Sequence, residues 1–246
     1  MSVGTIFLIH GIGEQKRGYS KEWQENILHY MNSQKVDFVE VYWQDLLDRT
    51  KLSQKEIMQT ELYKTLYSIL IKRQKKVKLL SINWVRNVVF DFVFYLTKRN
   101  LQERIKSRFR NALMGNKNRR PLSIISHSWG TVISYDVLFD LSRDDKVFSV
   151  DNLFTLGSPL WLLKEMDAIL SLFNYRGAEN LENIGNWVNV YAKGDIIGDS
   201  LSSFNVDADF EVPFLTGLSP HSSYLVRENK KVLKDIIAHT LIKYSD

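Results

Sequence analysis

The sequence predicts an α/β fold, a mostly parallel sheet flanked by helices, on three observations. Short runs rich in β-branched residues alternate with stretches whose apolar residues recur every three or four positions. That alternation is the signature of parallel strands joined by helical crossovers. Several runs end at turns rich in small residues, namely His10-Gly-Ile-Gly13, Ser126-His-Ser-Trp-Gly130 and Gly157-Ser-Pro159. The chain is also long enough, at 246 residues with 44% hydrophobic and 25% charged, to bury one large core. The expected organisation is a single domain over 1–246 with a helical insertion at about 46–114.

Taken in order, Val3 to Ile9 is an apolar strand that ends in a tight turn. Ser20 is placed to cap a helix whose Trp23, Ile27, Leu28 and Met31 fall at helical spacing. Val36 to Trp43 is the second strand. From Leu46 to Met114 glycine and proline are absent and the apolar period is helical, so three helices are expected there. Pro121 to Ser126 is a strand and Trp129 to Leu141 a helix; Asn152 to Leu156 is a strand and Leu160 to Phe173 a helix. Trp187 to Ala192 is a further strand, and a helix over about Ser222 to Lys243 closes the chain.

Composition removes several function classes. With no cysteine there is no disulfide framework, thiolate metal site or cysteine nucleophile, which fits a reducing, cytoplasmic compartment. The N-terminal residues carry no basic n-region, so no signal peptide is expected. Val77 to Leu96 looks apolar but holds Lys78, Arg86 and Asp91, which argues against a spanning helix. The net charge of +5 is uneven. Lys72 to Arg120 carries 15 Lys/Arg against Asp91 and Glu103, a local +13, which leaves −8 on the remainder. Together with Trp84, Phe90, Phe92, Phe94 and Tyr95, that segment suggests peripheral contact with an anionic membrane, the insertion acting as a lid. The competing expectation is that the rings pack on the core while the charges face water. No nucleic-acid motif accompanies the charge.

The chemistry centres on Ser126-His-Ser-Trp-Gly130, which stands between a strand and a helix. A Gly-x-Ser-x-Gly turn in that context strains its serine and exposes Oγ above the sheet. Ser126 replaces the first glycine with another small residue. A serine hydroxyl is a weak nucleophile and needs a base, which in turn needs an orienting acid. Asp195 follows a strand, and His221 follows later, just before the last helix. Asp199, Asp207 and Asp209 compete with Asp195 for the acid role; His10, His29, His127 and His239 are less well placed as bases. A developing oxyanion requires backbone donors. Trp129, next after the serine, and Ile12, in the glycine turn after the first strand, are the candidates. A phosphate loop at that turn would need the Lys-Ser/Thr ending of a Walker motif, which is missing.

These stretches together resemble the lipase/esterase-like serine hydrolases of the α/β-hydrolase superfamily, particularly bacterial members opening with His-Gly-Ile-Gly-Glu. The matching residues are Ile6 to Gln15, Asp91 to Leu96, Ser126 to Leu138, Thr155 to Leu160, Asn189 to Tyr191 with Asp195, and His221 to Tyr224. The resemblance implies a Ser128–His221–Asp195 triad, with Ile12 and Trp129 as oxyanion donors and no metal or cofactor. Ser126 in place of glycine and the bulky Trp129 depart from the pattern. The motifs do not specify the substrate; hydrolysis of a carboxylic ester, preferably of a lipid or phospholipid, is the leading expectation. A peptidase, amidase or thioesterase on the same residues, or a binding module that has kept the fold, stays open. Trp161, Leu162 and Leu163 are expected either to line an acyl pocket or to pack inside.

Overall fold

The computed structural model describes residues 2–13, 15–31, 35–47, 58, 60–77, 82–144, 147–170 and 180–243. Glu14, much of 46–60 and the end of the helix expected over 160–173 lie outside the described residues.

Strands β1 (Ser2–Ile9), β2 (Lys35–Val41), β3 (Leu122–His127), β4 (Val150–Leu156), β5 (Ile184–Ala192) and β6 (Ala208–Val212) form one sheet in the order β2-β1-β3-β4-β5-β6. Every pairing is parallel. Strand side chains alternate between faces. On β1, Ile6 and Leu8 therefore enter one core, while Phe7 and Ile9 enter the other. Both faces are covered, which is why the strand reads as an unbroken apolar run.

One face carries α1 (Lys21–Tyr30) and the C-terminal helix α8 (residues 231–243), which is π-helical over Lys231–Ala238. Their Ile27, Val232, Leu233 and Ile236 pack with Ile125 and Phe154. The other face carries the three insertion helices, α2 (Glu61–Val77), α3 (Ile82–Thr97) and α4 (Arg99–Gly115). With them lie α5 (Trp129–Asp144), α6 (Leu160–Glu165) and α7 (Asp167–Leu170). On α4 the apolar residues Leu101, Ile105, Phe109 and Leu113 recur every four positions and all are buried. Phe109 meets Phe7 of β1 edge-on at 6.1 Å, which seats the insertion on the sheet. From Trp129 to Leu138, α5 is buried all round, between the sheet and the insertion.

Three local expectations are corrected. The last helix does not start near Ser222: Pro220–Ser222 is a single 3-10 turn and helical structure resumes at Lys231. The stretch from Leu160 is split at Met166 into two short helices. A sixth strand, Ala208–Val212, was not expected, because it is an edge strand with only Val212 buried.

Part of the segregated charge folds back on the chain itself. Arg73, Lys106, Arg108, Arg110, Arg119 and Arg120 pair with Asp199, Asp140, Asp45, Asp144, Asp37 and Asp151, all outside the basic segment. Phe90, Phe92, Phe94 and Tyr95 are buried in the core and Trp84 is half-buried. Four of the five rings on which the membrane-docking expectation leaned are thus turned inward. No helix among the described residues is long and apolar enough to cross a membrane.

Candidate active site

Strand register puts the candidate residues at one level. Ile9 pairs with Ser126, His127 with Leu156, and Leu156 with Val190, so β1, β3, β4 and β5 end together. The loops that follow gather at the carboxyl edge of the sheet, where α/β proteins place ligands.

Ser128 sits between β3 and α5 with φ of 55°, the one non-glycine residue at positive φ among the described residues. A left-handed conformation costs an L-residue about 1–2 kcal/mol and persists only when its surroundings impose it. Here the Ser128 N–H donates to the Leu156 carbonyl at 2.9 Å, and the Ser128 carbonyl accepts from the Thr131 hydroxyl at 2.7 Å. Ser126 is accommodated because its hydroxyl donates to the Phe154 carbonyl at 3.0 Å within the sheet. A Cβ at Gly130 would come within 2.7 Å of the Ile9 and His10 carbonyls, so the helix can start this close to β1 only on glycine.

The turn brings the Ser128 Oγ to 2.8 Å from His221 Nε2. His221 lies in the Pro220–Ser222 turn, and its Nδ1 stands 2.9 and 3.0 Å from the two carboxylate oxygens of Asp195. All three side chains are buried. Burial alone would raise the Asp195 carboxyl. Its interaction with His221 and hydrogen bonds from His221, the Tyr224 hydroxyl and the Ile197 N–H outweigh that, and hold it below the ordinary value. An ionised carboxylate on Nδ1 fixes the tautomer that leaves Nε2 free to accept a proton from Oγ.

The rival acids are committed elsewhere. Asp199 pairs with Arg73 at 2.7 Å, Asp207 accepts the Trp187 N–H, and Asp209 accepts from Asn189, Ser200 and Leu201. Among the rival histidines, His29 and His239 are exposed on helices. His127 is held neutral by burial, which with the neighbouring His221 brings it down to about 3. Its Nε2 therefore donates to the His221 carbonyl at 2.7 Å.

His10 is fully enclosed, stacked on Trp43, and burial takes it from 6.5 to about 4. Its Nε2 accepts the Trp43 N–H at 3.3 Å, so Nδ1 carries the hydrogen that is donated to the Gly11 carbonyl at 2.7 Å. A trans peptide points its C=O and N–H in opposite directions. With the Gly11 carbonyl held on His10, the Ile12 N–H faces away from that ring. Gly11 itself abuts the serine: a Cβ there would lie 2.4 Å from Ser128 Cβ and 2.8 Å from Oγ. Trp129 is the first residue of α5, so its N–H has no acceptor within the helix and lies at the positive end of the helix dipole.

Sequence reasoning did not place Trp84 or Arg73 at this site. Trp84 on α3 meets the His221 ring edge-on at 5.9 Å. Arg73 on α2 donates to the Asp195 carbonyl at 3.2 Å and lies over the Trp161 ring at 4.4 Å. The insertion therefore lies against the acid and base loops. Trp161 is buried and donates to the Ile197 carbonyl at 2.7 Å, and Leu162 and Leu163 are buried beside it, as packing residues are. No cluster of His, Cys, Asp and Glu able to hold a metal occurs among the described residues.

No family model and no curated protein matches this chain. Among solved structures it is similar to one described as "RedJ with PEG molecule bound in the active site", at 12% identity and a TM-score of 0.48, over 98% of this chain and 90% of that one.

Proposed function

We propose that the protein is a serine hydrolase that cleaves a carboxylic ester through an acyl-enzyme. The observation that carries this reading is the continuous contact from Ser128 Oγ through His221 to Asp195, with the serine held at positive φ at the sheet edge.

In this mechanism Oγ attacks the ester carbonyl as His221 Nε2 takes its proton. The tetrahedral oxygen is met by the N–H groups of Ile12 and Trp129. His221 then protonates the leaving alkoxide, and the Ser128 acyl ester remains. Water, deprotonated by the same imidazole, attacks that ester and releases the acid. Asp195 stays ionised throughout and stabilises the imidazolium. A hydrophobic acyl group, as in a lipid or phospholipid ester, suits the aromatic surroundings, with Trp84 against His221 and Phe92 against Trp129 at 3.8 Å. No metal or cofactor takes part in these steps.

The test is active-site labelling with a fluorophosphonate, followed by hydrolysis assays on acyl esters of graded chain length, phospholipids, anilides and thioesters. Labelling at Ser128 is expected, with ester turnover that Ser128→Ala lowers by about 10⁶. Undiminished hydrolysis by a folded Ser128→Ala protein would end the reading. Faster turnover of anilides or thioesters than of esters would move the substrate class.

A further inference from the structure

Tyr224 is three residues beyond His221, and its ring turns back beneath Asp195. Its side chain is buried, with 1% of its surface exposed. The hydroxyl donates to Asp195 Oδ2 at 2.6 Å and accepts the Ala192 N–H, at the end of β5, at 2.8 Å. Burial and the adjacent carboxylate both push this phenol well above its usual range, so it stays protonated and acts as a donor. The slot for the ring is built by an absence of side chain. A Cβ at Gly157, whose φ is +58°, would lie 2.8 Å from Tyr224 Cε2 and 3.0 Å from Asp195 Oδ2.

The carboxylate thus divides its acceptor capacity. Oδ1 takes the Ile197 N–H at 2.9 Å, Oδ2 takes the phenol, and both face His221 Nδ1. Each donor that neutralises part of the carboxylate charge leaves less of it for the imidazole. We propose that Tyr224 is a positioning residue that fixes the Asp195 carboxylate against His221 and limits how strongly that carboxylate stabilises the charged imidazole. The role is separate from packing because the hydroxyl hydrogen-bonds to the acid, which a phenyl ring of the same shape cannot do. One short segment then carries both the base and the clamp on its acid. Three other groups bear on the same assembly. His127 donates to the His221 carbonyl, and Arg73 to the Asp195 carbonyl; Asp199 is paired with Arg73. None of the three hydrogen-bonds to the carboxylate itself.

The proposal rests on the hydrolase reading, yet it can be tested without turnover. Tyr224→Phe and a site-specific 3-fluorotyrosine at 224 are compared with the wild type by ester kinetics across pH and by the downfield proton NMR resonance of the Asp195–His221 hydrogen bond. Tyr224→Phe is expected to lower kcat about tenfold with KM within about twofold. It should also raise the midpoint of the acid limb and shift the downfield resonance. Fluorotyrosine keeps both hydrogen bonds with a stronger donor, so it should move the acid limb the other way, and it carries the test if the Phe variant does not fold. A Phe variant with wild-type kcat, pH profile and resonance, whatever its melting temperature, would reduce Tyr224 to packing. So would fluorotyrosine and Phe shifting the limb in the same direction. A wild type that neither labels nor hydrolyses esters would end the hydrolase reading, while the resonance would still decide Tyr224.

Discussion

His10 makes the protein acid-sensitive by an amount that can be worked out. The folded imidazole is neutral: one ring nitrogen accepts the Trp43 N–H, and the other donates to the Gly11 carbonyl. A second proton would set a donor against a donor inside the core, and burial brings the group from 6.5 to about 4. Above pH 6.5 the folded and unfolded residues are both neutral, and the stability is fully present. As pH falls from there towards 4, the unfolded chain takes up a proton that the folded one refuses, so stability is lost. Between pH 7.5 and 4.5 that loss is about 2–3 kcal/mol for this one residue. Urea unfolding of the wild type and of His10→Gln at both pH values isolates it, since His127 and the carboxylates titrate in both proteins. The variant should start less stable at pH 7.5 and lose about 2–3 kcal/mol less on acidification. Equal losses in the two proteins would refute the enclosed, neutral imidazole.

The remaining predictions concern the serine and its neighbours. Ser128→Gly should abolish turnover but raise stability by about 1 kcal/mol through relief of the positive φ, read as a higher melting temperature; a lower one would show that the turn is unstrained. Asp195→Asn should cut kcat about 10⁴-fold with little loss of fold. Asp199→Asn, which only breaks a partly exposed pair with Arg73, should cost less than about tenfold, and the reverse order would reassign the acid. Gly11→Ala drives a methyl group to 2.4 Å from Ser128 Cβ and should slow fluorophosphonate labelling at least about 100-fold; an unchanged rate would mean that the glycine turn is not held against the serine.

The site was more legible in the sequence than the elements around it. Ser128 and Asp195 each follow a strand, where a turn of small residues or a loop after an apolar run leaves a strong local trace, and His221 stands in a Ser-Pro-His turn late in the chain. β6 left little, because an edge strand reading Ala-Asp-Phe-Glu-Val buries only its last residue. The final helix starts later than about Ser222 because the stretch after the Pro220–Ser222 turn is irregular up to Asn229. The better signal was Asn229, whose side-chain oxygen accepts the Val232 N–H three residues on at 3.2 Å. Tyr224 was visible as a residue but not as a partner of Asp195, since contacts across 29 positions leave no periodic mark. The pairings of the +13 segment left no trace in the sequence: six of its basic residues have acidic partners far along the same chain.

Those six pairs also impose an order in time. Asp37 and Asp45 leave the ribosome before the insertion; Asp140, Asp144, Asp151 and Asp199 leave after it. While α2, α3 and α4 emerge, three of the four counter-charges of Arg73, Lys106, Arg108 and Arg110 have not been made, and neither have β3, β4 or β5. Early-emerging segments fold first only when their contacts are local. Here the pairs of Lys106, Arg110 and Arg73 wait for later segments, the last of them for the loop near residue 199. That loop carries both Asp195 and the partner of Arg73. The contacts of Arg73 with Asp195 and Asp199 can therefore form only once that loop is made, and a chain cut short before it would lack both partners.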